Sequence, residues 1–167
     1  MKDFNKKELV FYKICDSVLY FEVVKGHLNW SLSDISKQAD VTRSLIYYYL
    51  GKEKDAILNE VVNFMLELFF NSSGENKLGV RERMRHVLTQ VREMPHIYIY
   101  YISERIKDTQ YGKAIRAAED HLLIYTQKEL GLSEVDARRL ILLNFGAASL
   151  QLDPELVEDI YAIVPAH

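Results

Sequence analysis

Apolar residues recur at helical spacing along most of the chain, and breakers and caps cut the pattern into segments. Val10, Ile14, Val18 and Phe21 form one stripe over residues 5–25, with Phe11, Cys15 and Leu19 beside it, and Gly26 ends that helix. Ser31 is placed to cap a short helix over about 32–38, whose apolar face is Leu32, Ile35 and Ala39; Asp34 in its first turn suits the helix dipole. Thr42 caps a third short helix running through Tyr49, and Gly51 closes it. From Lys52 to about Phe70 the pattern predicts a long helix with two stripes, Ile57, Val61, Phe64 and Leu68 on one side, Leu58, Val62, Met65 and Phe69 on the other. Apolar surface on two sides implies packing on two sides. Residues 71–76 read as a loop. Beyond it, Val80, Met84, Val87, Leu88 and Val91 describe an amphipathic helix closed by Pro95. Further helices follow over about 96–107, about 111–130 up to Gly131, and from a Ser133 cap to about Leu150, and Asp153-Pro154 opens a last one carrying Leu156, Ile160 and Ile163. The fold class is therefore all-α, with about nine helices. Only the β-branched and aromatic run over residues 96–102 offers a competing strand reading.

Composition narrows the function classes. Apolar residues at 49% and charged residues at 27% support a sizeable core without metal or disulfide staples. The single Cys15 has no internal partner, so a reducing compartment is expected, and the N-terminal residues lack the apolar core and cleavage site of a secretory signal. No segment approaches the ~18 apolar residues of a membrane span. A cytoplasmic protein without a membrane partner is the expectation. The five histidines are scattered without ligand spacing, and neither a phosphate-binding glycine loop nor a nucleophile elbow occurs. Neither catalysis, nor a cofactor, nor a metal is expected. Net charge is −3, yet residues 1–54 hold nine Lys and Arg against seven Asp and Glu, while the remainder holds twelve against seventeen. Basicity sits at the N-terminal end, where a nucleic-acid contact would need it.

Residues 31–50 carry the most specific constellation. Two short helices crossing steeply need a small residue where they touch, a turn that tolerates positive φ, and a buried anchor on the second helix. Ser36, Asp40 and Ile46 have these roles, and Leu32, Ile35, Val41 and Leu45 complete a miniature core. Around it the chain reads as a helix ending in Lys25-Gly26, then Ser31-Leu32-Ser33-Asp34-Ile35-Ser36, the turn Ala39-Asp40-Val41-Thr42, the aromatic segment Leu45-Ile46-Tyr47-Tyr48-Tyr49-Leu50-Gly51, and Lys52-Glu53-Lys54-Asp55. In that order and register, residues 8–62 resemble the DNA-binding region of TetR-family transcriptional regulators. The chain departs from the family pattern at Asp40, where glycine is usual, at Leu50, where phenylalanine is usual, and in the opening of the fourth helix.

The resemblance implies an N-terminal helix-turn-helix domain over residues 1–51 and a helical sensing and dimerisation domain over 52–167. It implies that Thr42, Arg43 and Ser44 enter the major groove, where arginine can pair with guanine, and that Ser31, Tyr47, Tyr48 and Lys52 or Lys54 position the backbone. Small apolar or aromatic effectors would be lined by Phe64, Leu68, Met84, Leu88, Tyr98, Tyr101, His121 and Tyr125. The last two helices would pair with a second copy through Leu140, Leu143, Ala147, Leu150, Leu156 and Ile160, around the small residues at 146–149. The function so implied is a homodimeric repressor on a palindromic double-stranded operator, released by its effector. The alternative is a helical dimeric interaction protein of the same fold that does not bind an operator.

Overall fold

The computed structural model describes residues 5–71, 79–153, 155 and 157. Among them the chain forms eight helices and no strand: α1 (Lys6–Lys25), α2 (Leu32–Ala39), α3 (Arg43–Leu50), α4 (Lys54–Phe70), α5 (Val80–Glu93), α6 (Pro95–Arg105), α7 (Gln110–Leu130) and α8 (Glu134–Ser149). The loop expected after residue 71 and the ninth helix expected after Pro154 fall almost wholly outside the described residues. Local chemistry sets most of the helix ends. Asn5 and Ser31 form capping boxes with Glu8 and Asp34, and Thr42, Thr109 and Ser133 each accept a backbone N–H in the first turn that follows. Gly26, Gly51 and Gly131 follow α1, α3 and α7 at positive φ. Residues 96–102, where a strand competed, are helical. Pro95 occupies the start of α6, and the Asp16 carboxylate accepts the His96 backbone N–H at 2.8 Å, so a remote side chain caps the helix.

The chain divides into two compact units. The first holds the described residues up to Met65 together with Glu93–Lys107, so α6 belongs with the N-terminal helices. Its core is built on α1, which packs against α2 and α6. Ile14, Cys15, Val18 and Leu19 are fully buried there with Ile35, Ile46, Ile57, Leu58 and Val61. Phe64 of α4 meets Phe11 edge-on at 5.0 Å and stacks on Tyr12 at 5.9 Å. Burial pushes the Cys15 thiol far above its usual range, which makes it an inert core residue and not a redox-active one.

Asp16 also takes the His96 imidazole, Nδ1 to Oδ2 at 2.8 Å, beneath the edge-on ring of Tyr20 at 4.8 Å. One carboxylate thus holds both the backbone and the side chain at the start of α6. Asp16→Ala is expected to cost about 1–3 kcal/mol, seen as a lower urea midpoint with an unchanged slope. An unchanged midpoint would show that α6 is seated by its apolar contacts alone.

The second unit holds Leu66–Arg92 and the described residues from Asp108 onward. Within it α7 packs on α8, and Phe145 of α8 lies against Phe69 and Phe70 at 6.4 and 6.3 Å. Val87, Leu88, Val91, Ala137, Leu140, Ala147 and Ala148 are buried in its core.

Candidate functional site

The helix-turn-helix is assembled by its own side chains. Asp40 adopts the left-handed conformation at φ 53° that the turn requires, and its N–H closes the end of α2. The Ser36 hydroxyl donates to the Val41 carbonyl at 2.5 Å, which uses the small residue's polarity as well as its size. Ile35 and Ile46 are fully buried anchors of α2 and α3. Before α2, the Glu22 carboxylate gathers the connecting loop: it accepts the Leu28 backbone N–H at 2.8 Å and the Trp30 indole N–H at 2.5 Å, and lies 3.3 Å from His27 Nδ1. Trp30 is consequently a core residue.

With α3 held in this way, Thr42, Arg43 and Ser44 are all exposed at its N-terminal end, and Tyr48, one turn further, is 79% exposed. The Arg43 guanidinium donates to the Ser33 hydroxyl of α2, so it rests against the neighbouring helix of the motif. Tyr49 turns inward instead, packing on Phe11 at 5.8 Å with its hydroxyl at 3.4 Å from the Lys7 carbonyl.

The positioning residues differ in how freely they are offered. Lys52 is exposed and its ammonium lies 5.6 Å over the Tyr47 ring, which puts a cation and a phenol together at the end of α3. Lys54 is engaged: its ammonium donates to the Leu28 carbonyl at 3.1 Å and sits 5.7 Å over Trp30. Ser31 is exposed, but its hydroxyl both accepts the Asp34 N–H and donates to the Asp34 carboxylate, which also pairs with Lys25 at 2.9 Å. The Lys25 and Ser31 contacts hold the Asp34 carboxyl down at about 2. A carboxylate therefore occupies the N-terminus of α2.

The eight residues expected to line an effector pocket are divided between the two units. Phe64, Tyr98 and Tyr101 belong to the first unit, where the two tyrosine rings lie 5.8 Å apart. Leu68, Met84, Leu88, His121 and Tyr125 belong to the second, with His121 exposed to solvent. A cavity of about 20 Å³ occurs there, lined by Phe69, Arg83, Met84, Val87, Leu122, Ile141, Asn144 and Phe145, so Met84 alone of the eight borders it. The other seven lining residues, Arg83 among them, were not singled out from the sequence as pocket residues.

Of the residues expected at a dimer contact, Leu143 and Leu150 are exposed on and just after α8, Leu140 and Ala147 are buried within their own unit, and Leu156 and Ile160 lie outside the described residues. The outward face of α8 also carries Val135 and Leu142, which sequence reasoning did not single out, and Ile124 is exposed on α7.

Neither a protein-family model nor a curated protein sequence matches the chain. Solved structures do. A TetR-like transcriptional regulator from Rhodococcus sp. RHA1 is similar over 92% of this chain and 95% of its own, with a TM-score of 0.53 and 16% identity. A TetR-family transcriptional regulator from Streptomyces coelicolor is similar over 92% of this chain and 90% of its own, with a TM-score of 0.47 and 17% identity. The first likeness, nearly end to end in both chains, shows a TetR-like fold.

Proposed function

We infer that a chain with this TetR-like fold, and with the open first turn of α3 described above, is a homodimeric DNA-binding transcriptional regulator. The observation that carries the reading is the joint exposure of Thr42, Arg43, Ser44 and Tyr48 on a helix whose other face is pinned by the buried Ile46 and by the left-handed Asp40 turn. A rigid helix with its N-terminal turn free fits a major groove, and Arg43 is the residue that reads guanine once it leaves Ser33. Lys52 with Tyr47 supplies the phosphate contact. Lys54 and Ser31 are committed to the fold, so their part is to hold the platform. We read the protein as a repressor of a palindromic operator, with the second unit as the effector-responsive part and α4, which runs from the first unit into the second, as the connecting element. Nothing in this reading calls for catalysis. Among the described residues no helix is long and apolar enough to cross a membrane, and double-stranded DNA is the partner proposed.

The test starts from duplexes selected out of a random pool on the purified protein. Binding to the winning duplex is expected to weaken steeply with salt, and Arg43→Ala to lose about 10–100-fold on that duplex with little change on random DNA. Tyr48→Phe is expected to weaken both duplexes alike. Selection that yields no preferred sequence, or an Arg43→Ala protein that binds as tightly as its parent, would sink the assignment.

A further inference from the structure

We propose that the cavity beside Arg83 in the second unit is the closed form of a site for a small organic carboxylate with an apolar or aromatic body, anchored by the Arg83 guanidinium. The proposal rests on the regulator reading for its role, as the effector of that protein, but not for its geometry.

Arg83 is only 3% exposed and lies on the cavity wall. One face of its guanidinium covers the Tyr125 ring, with Cζ 4.9 Å from the centroid. The Tyr125 hydroxyl is hydrogen-bonded to Glu129 as well as to Arg83, and the Glu129 bond, with burial, raises the phenol above its usual range. Arg83 Nη1 has no hydrogen-bond partner among the described residues. A guanidinium has five N–H donors, and one left unpaired in a core is costly; a ligand seated in the cavity that Arg83 lines would supply the missing acceptor. One turn beyond the cavity-lining Leu122 on α7, the fully buried Thr126 hydroxyl is likewise without a partner. The cavity wall thus carries one buried, incompletely bonded guanidinium, and the helix that contributes Leu122 carries a second unpartnered polar group one turn on.

The chemistry of the wall selects the ligand. A planar fork matches the two oxygens of a carboxylate, and the amide of Asn144 adds a further polar group on the lining. There is one cation, and apart from Asn144 the rest of the wall is apolar, from Phe69, Met84, Val87, Leu122, Ile141 and Phe145. A phosphate, with more charge and more oxygens, would be left under-bonded there. As it stands the void of about 20 Å³ has room for about one water, so the body of the ligand needs a side chain to give way. Met84, unbranched and with three rotatable side-chain bonds, is the lining residue best able to do so.

The experiment uses the full chain without DNA. Melting is followed with benzoate, phenylacetate and hexanoate, each beside its primary amide. At least one acid is expected to raise Tm by about 5–10 °C at about a hundredfold its dissociation constant, and its amide to leave Tm unchanged. Arg83→Met, which removes a buried cation whose Nη1 is unsatisfied, is expected to melt no lower than its parent and to lose the response. Arg83→Lys, which keeps the charge but not the fork, is expected to bind at least about tenfold more weakly. The proposal is overturned if no acid acts, if acid and amide act alike, or if the response survives both substitutions. It is also overturned if Arg83→Met is less stable and crystals grown in the acids show only an ordered water at Arg83. Operator binding, measured separately, distinguishes the two readings. A specific duplex with no acid response sinks the site alone, and an acid response without a specific duplex sinks the regulator while the site stands.

Discussion

Glutamate at both Leu142 and Leu150 is expected to leave a folded monomer whose operator affinity is lower by about 10²–10⁴-fold. Leu142 is 69% and Leu150 71% exposed, and with Val135 they lie at intervals of seven and eight residues along α8 and its C-cap. Leu143 flanks them. Gly146 stands between the two leucines, and a Cβ added there would meet nothing within 4 Å among the described residues. The described residues therefore do not need the glycine, whereas a second helix approaching this face closely would. Such a contiguous apolar stripe is what an interface with a second copy requires, and about twofold symmetry each leucine is counted twice. Burying a leucine contributes about 1.5–3 kcal/mol, and a carboxylate in its place adds a desolvation penalty. Because both positions face solvent in the single chain, the double substitution is expected to leave its melting and circular dichroism close to those of an isolated subunit. The loss of DNA affinity follows from geometry. On the proposed function one α3 reads one half-site, and pairing converts the second contact into an intramolecular event. Sedimentation equilibrium and an operator titration on the same sample check both halves. A variant that stays dimeric would move the interface off this face of α8.

The helix ends were legible because their causes are local. Ser31, Thr42 and Ser133 cap as their spacing to the following apolar run implies, and Asp40 takes the left-handed turn. The exposure of Arg43 and its neighbours follows from the same short-range logic. What periodicity could not resolve is direction within an unbroken apolar run. Residues 140–143 are all apolar, so spacing did not tell that Leu140 turns into its own core while Leu142 turns out. Arg83 was hidden for the opposite reason. It lies in the strongly charged segment 81–86, where one more arginine reads as solvated surface, and only the packing of α5 buries it. That Tyr98 and Tyr101 belong with the first unit reflects the packing of α6 on α1, and the bond that helps fix this, Asp16 to His96, spans 80 residues of sequence. No local pattern encodes such a partner.

Glu22 is a polar residue near the end of an otherwise apolar face, and its removal is expected to be the most damaging single change in the first unit. Glu22→Ala should lower stability by about 3–5 kcal/mol and Tm by about 10 °C. The carboxylate is buried and accepts two N–H groups, from Leu28 and from the Trp30 indole, in a loop where Gly26 and Leu28 both have positive φ. Alanine would leave the buried indole N–H and the amide without acceptors, and each such loss costs about 1–3 kcal/mol, more where the lost acceptor was charged. Glu22→Gln keeps an oxygen in place and should cost only about 1–2 kcal/mol, because the charge assistance alone is lost. Trp30 is the chain's sole tryptophan, so its fluorescence reports on this bond directly. A red shift at temperatures where the far-ultraviolet dichroism is still native would show the loop opening before the helices melt. The consequence reaches the interface. Trp30 is followed by the Ser31 cap of α2 and underlies Lys54 at the start of α4, so a loosened loop releases both ends of the platform that holds α3. Glu22→Ala is accordingly expected to weaken operator binding without touching a base contact, and equally on preferred and random duplexes. If it lowered affinity for the preferred duplex alone, or melted with its parent, Glu22 would not be what holds the loop.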